Sequence, residues 1–282
     1  MASKHIGAEL RPVRKATGGY TPALRIVCDS DKGRFFVKAG TTPLTADFIN
    51  REISIFQRIQ FQFMPRLISA DANPELPILV LEDLSDAEWP PPWTGDRVDR
   101  VVATIEEMHA QTAQIEGFFD VLGLGESNWE TVAADPSPFL NLGIVDSRWL
   151  DRSLPLLMSA EATCEVGGTA LCHYDLRSDN ICLTSNGVKF VDWNAACLAS
   201  PTLDLGFMLP SMEFEGGPPP ERILPGEAGV ASRVAGFFGM RAGLEQIPDA
   251  PFVRRVQKQQ LSAALPWVIR ELDLEPIEPW KP

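Results

Sequence analysis

The stretch that most constrains this chain runs from Cys172 to Asp192 and reads C-H-Y-D-L-R-S-D-N-I-C-L-T-S-N-G-V-K-F-V-D. Two short apolar runs lie inside it, Ile181-Cys182-Leu183 and Val188-Lys189-Phe190-Val191, joined through Asn186-Gly187. That dipeptide readily takes the positive φ angles that close a tight β-hairpin. A hairpin here returns Asp192, just after the second strand, to the side of Asn180, just before the first. Asp175 sits a short loop upstream, so two carboxylates and an amide oxygen gather at one end. Hard oxygens of this kind suit Mg²⁺, which keeps part of its shell for water and phosphate.

The spacing His173-x-Asp175-x-x-x-x-Asn180, with an Asp closing a later strand, resembles the catalytic loop of kinases. Phosphoryl transfer asks a protein for little covalent chemistry. It needs a metal ion on the β- and γ-oxygens, a cation on the phosphates and a hydroxyl held in line. In that scheme Asp175 accepts the hydroxyl proton and Asn180 and Asp192 hold Mg²⁺. His173 shares the catalytic loop and pins its backbone. Upstream, Lys38 ends an aromatic and β-branched run and Glu52 lies in the helical segment that follows. Alone, the first reads as a lysine guarding a sheet edge and the second as a solvated helix glutamate. Ahead of the loop motif they read as a set, Lys38 gripping nucleotide phosphates and Glu52 fixing its rotamer. Backbone groups from Glu82 through Asp83 to Leu84 would then meet the adenine edge.

The rest of the chain supplies the frame. At 282 residues it is long enough for one large domain or two lobes, and 45% apolar with 22% charged residues is ordinary for a globular protein. No apolar run reaches the roughly 18–20 residues of a membrane span, and the polar start carries no signal peptide. Five cysteines without C-x-x-C spacing read as buried small side chains in a reducing, cytoplasmic setting. A net charge of −13 disfavours nucleic acid as a partner. It suits a cationic small molecule drawn to an acidic cleft, although solubility alone explains it equally well.

In chain order, Leu24–Cys28 and Arg34–Lys38 read as paired strands, preceded by the small glycine loop Thr17-Gly18-Gly19-Tyr20-Thr21. Thr45 is placed as the N-cap of a helix with Phe48, Ile49, Ile53, Phe56 and Ile59 on its apolar stripe. Pro77–Leu81 is a further buried strand. Composition then turns loop-like, which places a lobe boundary after Leu84 and divides the chain into residues 1–84 and 85–282. A helix from Asp96 carries Val98, Val101, Val102, Ile105 and Met108, with His109 as a satisfied helix-end histidine. Residues 123–138 read as loop and residues 147–158 as helix. Two helices close the chain, over residues 228–242 and 252–272, the second bent at Pro266. Asp204 opens a short apolar helix, placed either to cap backbone N–H groups or brace the loop, or to contact substrate. Glu213 and Glu215, in an acidic stretch extending to Glu227, are candidate contacts for a polyamine-like substrate.

Protein kinases fit less well, because Trp193-Asn194 follows Asp192 in place of Phe-Gly, and no A-P-E segment or activation loop is present. The sequence instead resembles the aminoglycoside phosphotransferase family and its wider set of small-molecule kinases. H-Y-D-L-R-S-D-N-I-C-L is similar to that family's H-G-D-L-x-x-x-N loop. V-K-F-V-D-W with A-S-P-T-L-D-L-G resembles its strand-Asp and D-L segments. F-F-V-K-A, the helix carrying Arg51-Glu52, L-V-L-E-D-L and M-H-A extend the likeness over nearly the whole chain. Among members it is most similar to actinobacterial-type phosphotransferases of unassigned substrate. Tyr174 stands where the family has Gly.

The resemblance implies an α+β, bilobal, protein-kinase-like fold with a small β-rich N-terminal lobe and a larger, mainly helical C-terminal lobe. It implies ATP and Mg²⁺ between the lobes and a small-molecule hydroxyl acceptor held by the second. It does not imply an antibiotic acceptor, because members phosphorylate amino sugars, choline-like amines, homoserine, sugars and macrolides. A catalytically silent kinase-like binding protein is the rival reading, disfavoured because Lys38, Asp175, Asn180 and Asp192 are all present.

Overall fold

A computed structural model describes residues 7–16, 22–122, 127–248 and 250–280. The glycine loop at residues 17–21 lies outside the described residues. The chain opens with an antiparallel sheet of five strands, β1 (Arg11–Lys15), β2 (Leu24–Ser30), β3 (Gly33–Ala39), β4 (Leu67–Asp71) and β5 (Ile78–Glu82), ordered β1-β2-β3-β5-β4. β3 and β5 pair centrally, with Lys38 opposite Leu79 on one side and Arg25 on the other. The apolar residues of β5 are nearly fully buried, as expected of an interior strand.

Between β3 and β4 runs helix α1 (Pro43–Arg58). Its N-cap is Thr42, not Thr45: the Thr42 hydroxyl accepts the Thr45 N–H at 3.2 Å, and the Thr45 hydroxyl accepts the Thr42 N–H at 2.9 Å. Pro43 sits just inside the start, where its missing N–H costs nothing and its φ is already helical. This reciprocal capping box displaces the expected start by three residues. Ile49, Ile53 and Phe56 form the buried face of α1, and Glu52 lies on that same face, 1% exposed.

The remainder is mostly helical. α2 (Gly95–His109) buries Val98, Val101, Ile105 and Met108. The region read as loop after residue 123 contains α4 (Asn128–Ala134) and α5 (Ser137–Leu140), preceded by α3 (Phe118–Leu122). Ser127 caps α4 by accepting the Glu130 N–H, and buried Glu161 accepts the Asn128 and Trp129 N–H groups. Short helices held by such long-range partners leave little periodic signal in sequence. α6 (Ser147–Glu161) runs unbroken through Pro155 and ends three residues beyond its expected end.

Next come β6 (Ala170–Cys172), the hairpin β7 (Ile181–Thr184) with β8 (Gly187–Phe190), and β9 (Cys197–Ala199), which pairs with β6. Thr184 faces Gly187 across the hairpin turn, and Gly187 takes φ +122°, open to glycine and hostile to most residues. α7 (Pro201–Phe214), α8 (Ala228–Ala242) and α9 (Val253–Glu271) complete the chain. Gly206 lets α7 lie against α8, since a Cβ there would meet Val230 Cγ1 at 2.3 Å.

One apolar cluster runs from Ile49 and Leu79 through Ile105 to Phe190 and Met212. The core therefore crosses the boundary expected at residue 84, and the β7–β8 hairpin is the bridge. Phe190 N–H donates to Phe63 O at 2.8 Å, and Lys189 pairs with Glu82 at 3.0 Å. A second cluster joins Trp129, Trp149 and Trp267 among α4, α6, α8 and α9. Among the described residues no helix is long and apolar enough to cross a membrane, and all five cysteines are free thiols.

Candidate active site

The site forms where β3, α1, the 173–180 loop and the end of the hairpin meet. Lys38 Nζ donates to Glu52 Oε2 at 2.6 Å and to Asp192 Oδ1 at 2.7 Å. The Lys38 and Glu52 side chains are almost fully buried, whereas Asp192 remains 25% exposed. Burial works against the Lys38 charge, but the two carboxylates overcome it and raise its pKa. Burial likewise acts to raise Asp192, and Lys38 with Arg25 and Arg177 overrides it, bringing the carboxyl down to about 2. Asp192 is thus an anion at any physiological pH. Its φ of +70° turns the chain sharply out of β8.

Asn180 ends a single 3₁₀ turn before β7. Its Nδ2 donates to Asp175 O at 2.7 Å and Asp175 Oδ2 at 3.1 Å, and its carbonyl accepts the Val191 N–H at 2.9 Å. The hairpin does bring Asn180 beside the Asp192 end, although its turn is Ser185-Asn186, one residue earlier than the expected Asn186-Gly187, and Gly187 opens β8. Asn180 Oδ1 and Asp192 Oδ2 have no donor among the described residues. These are hard oxygens, and they fit Mg²⁺ beside bound phosphates.

Asp175 is held by Asn180 and by Arg177, whose Nη1 lies 2.6 Å from its Oδ1. Arg177 also pairs with Asp179 at 3.1 Å. Desolvation is the dominant influence on Asp175; Arg177 opposes it, Asp192 adds to it, and the carboxyl rises to about 6. Such a group is ionised at neutral pH yet basic enough to take a hydroxyl proton.

His173 is fully buried. Burial presses its pKa down to about 4, so the ring is neutral. Its Nε2 meets Val191 O at 3.0 Å and its Nδ1 accepts the Asp175 N–H at 3.3 Å. Those partners fix one tautomer and make His173 a positioning residue. Trp193, absent from the sequence reading as a site residue, stands edge-on to it with ring centroids 4.7 Å apart. The Trp193 N–H donates to Glu52 Oε1 at 3.3 Å.

Asp204 is not a substrate contact. It is fully buried beneath the loop and accepts the His173 N–H at 3.0 Å, the Tyr174 N–H at 2.7 Å and His109 Nε2 at 2.9 Å. Its oxygens are spent inside the fold, which also answers the expected role of His109. Replacing Asp204 with Ala leaves three donors, one of them buried and two part-buried, without this acceptor. We expect a loss of about 3–5 kcal/mol, read as a lower denaturant midpoint at unchanged slope.

Glu215 is likewise engaged, accepting from Ser178 Oγ at 2.6 Å and Trp93 Nε1 at 2.9 Å. Glu213 lies 3.6 Å from Arg270, which also binds Glu221 at 2.6 Å. Neither Glu213 nor Glu215 is in the wall of the cavities beside Asp175. The Glu82 carboxylate accepts the Arg66 N–H and pairs with Lys189, while Asp83 binds Ser85. Leu84 O accepts the Ala87 N–H at 3.1 Å. Residues 82–84 thus form the exit from the sheet, with both carboxylates already occupied.

Two cavities adjoin the site. One, about 230 Å³, is bordered by Lys38, Arg25, Phe48, Asp192 and Asn194. The other, about 400 Å³, is walled by α8, α9 and aromatic side chains. Asp175 and Arg177 are the two residues common to both walls. Arg177 was not singled out from sequence, although its place two residues after Asp175 put it within reach.

A buried Lys–Glu pair, a hairpin-borne Asn and Asp, and a base between two cavities on a kinase-like scaffold define a phosphotransferase acting on the hydroxyl of a small molecule. Residues 13–240 match the phosphotransferase enzyme family. The chain belongs to that family. Among solved structures it is similar to a thermostable mutant of aminoglycoside phosphotransferase APH(4)-Ia, at 14% identity and TM-score 0.60 over 96% of this chain and 97% of that one. It is also similar to choline kinase LicA from Streptococcus pneumoniae, at 15% identity and TM-score 0.55 over 90% and 94%. An ethanolamine kinase from Plasmodium vivax aligns at 14% identity and TM-score 0.55 over 94% and 84%. No curated protein matches the chain in sequence.

Proposed function

We propose that this protein transfers the γ-phosphoryl group of ATP, with Mg²⁺, to a hydroxyl of a small molecule seated in the larger cavity. The observation that carries this reading is the position of Asp175 in the walls of both cavities. A base so placed faces the acceptor on one side and the nucleotide phosphates on the other.

In this scheme the smaller cavity takes the nucleotide phosphates, with Lys38 on them; residues 82–84, expected at the adenine edge, are not in its wall. Complexes of APH(4)-Ia variants with ADP or AMP-PNP and hygromycin B support nucleotide use by this scaffold. Asn180 and Asp192 would hold Mg²⁺, which neutralises charge on the phosphate oxygens when bound. Glu52 keeps the lysine extended from β3. Asp175 takes the proton as the acceptor oxygen bonds to phosphorus and the bond to the ADP oxygen breaks. Asn180 and Arg177 hold the Asp175 carboxylate in place, and Asp204 and His173 hold its backbone.

The raised Asp175 carboxyl gives a pH signature. The base works only when deprotonated, so kcat/KM should climb with pH through about 6 and level off above it. Arg177 is what most restrains that carboxyl, so Arg177→Ala should move the acidic limb upward. A limb near the ordinary carboxylate pKa of about 4, unmoved by that variant, would remove Asp175 from the role. The direct test of the function is ADP release from ATP with a panel of hydroxylated acceptors, in the presence and absence of Mg²⁺.

A further inference from the structure

The larger cavity has a character opposite to that expected of a polycation site. Asp175 is the only carboxylate among the described residues in its wall, and Arg177 holds it at 2.6 Å. Against it stand three arginines, Arg177, Arg233 and Arg241. Arg233 is buried and its Nη1 lies 3.5 Å from Glu161 Oε1, so its charge is answered inside the fold. Arg241 is different. Its Nη1 donates to Phe237 O at 3.2 Å and its guanidinium carbon lies 3.9 Å over the Phe237 ring, but no carboxylate among the described residues pairs with it.

The environment of Arg241 is unfavourable as it stands. Desolvation, then the neighbouring cations Arg254 and Arg233, lower its pKa to about 10. It remains a cation at neutral pH, half-buried and facing like charge. An anion in the cavity would remove that penalty, and a guanidinium binds a carboxylate through two parallel hydrogen bonds.

The rest of the wall is apolar and aromatic. Phe207 meets Phe237 edge-on at 5.0 Å and Tyr174 at 5.7 Å, and Tyr174 also lies 5.2 Å from Phe118. Rings set at such angles present a mixture of faces and edges to an occupant. Two buried polar atoms on lining residues, the Tyr174 hydroxyl and Gln260 Oε1, have no hydrogen-bond partner among the described residues.

We propose that the acceptor is an alcohol with a flat apolar or aromatic body and a carboxylate, the carboxylate paired with Arg241 while the hydroxyl meets Asp175. This rests on the phosphotransfer reading and narrows it, turning away from aminoglycosides and quaternary amines. A polyamine entering the cavity would bring ammonium groups against Arg241, with Asp175 already committed to Arg177.

Four acceptors separate the classes: a hydroxymethyl-naphthoic acid, its methyl ester, the matching aminomethyl naphthalene alcohol, and kanamycin. ADP release is followed at saturating Mg-ATP for the wild type, Arg241→Gln and Arg241→Lys. The acid should exceed its ester in kcat/KM by about tenfold or more, on the scale of one desolvated charge pair. Arg241→Gln should collapse that ratio toward one, chiefly through KM, and Arg241→Lys should restore part of it. The proposal is overturned if the aminated alcohol or kanamycin is the best acceptor, if the acid–ester ratio is unchanged in Arg241→Gln, or if a protein stabilised by Mg-ATP turns over none of the panel. Absence of both turnover and Mg-ATP stabilisation would bring down the phosphotransfer reading itself.

Discussion

Replacing Asp175 with Asn should reduce turnover by two to four orders of magnitude while leaving Mg-ATP binding nearly intact. The magnitude is that of a positioned general base, about 10²–10⁴-fold. The separation of effects follows from the geometry. Asn is isosteric and can still accept from Asn180 Nδ2, and the Lys38–Asp192 contact lies outside its reach. Arg177 keeps Asp179 as a partner at 3.1 Å, so the loop is not left with an isolated buried cation. The measurement is kcat beside the nucleotide-induced rise in Tm for both proteins. Near wild-type turnover would show that the hydroxyl proton leaves by another route.

The second large effect belongs to Asp192→Ala. Removing the carboxylate takes away one of the two oxygens suited to the metal, while Lys38 retains Glu52 at 2.6 Å, so the fold should persist. A ligand at a hundredfold its Kd stabilises the folded state by about 2.7 kcal/mol, which at this chain length raises Tm by several degrees. That Mg²⁺-dependent rise should appear in the wild type and vanish in Asp192→Ala. The same rise in both proteins would mean that nucleotide and metal bind without Asp192. Lys38→Ala is a less clean probe, because it leaves Glu52 and Asp192 facing each other without the cation between them.

The parts of this site carried by local sequence were legible in it. Asn186-Gly187 between two apolar runs dictates a hairpin, and a hairpin fixes where Asn180 and Asp192 meet. Lys38 and Glu52 were legible only as a pair. Even so, Glu52 follows Ile49 by one helical turn and precedes Phe56 by another, which already places it on the buried face. The larger cavity was not legible. Its walls come from α3, α4, α7, α8 and α9 and from the loop after β6, and nothing local marks Arg241 as lining it without a carboxylate among the described residues. The acidic stretch around Glu213 misled for the converse reason. Sequence displays charges but not their partners, and Ser178, Trp93 and Arg270 had already engaged those carboxylates.

Tyr174 carries a consequence of its own. Its φ is +61°, a left-handed conformation that costs a non-glycine residue roughly 1–2 kcal/mol, and the Asp204 carboxylate holds it there through its N–H at 2.7 Å. The same residue supplies a ring to the larger cavity, against Phe118 and Phe207. Glycine here would relax the backbone and strip the ring in a single step. Backbone strain and cavity wall are therefore tied together at this one position: a substitution that removes the first also removes part of the second.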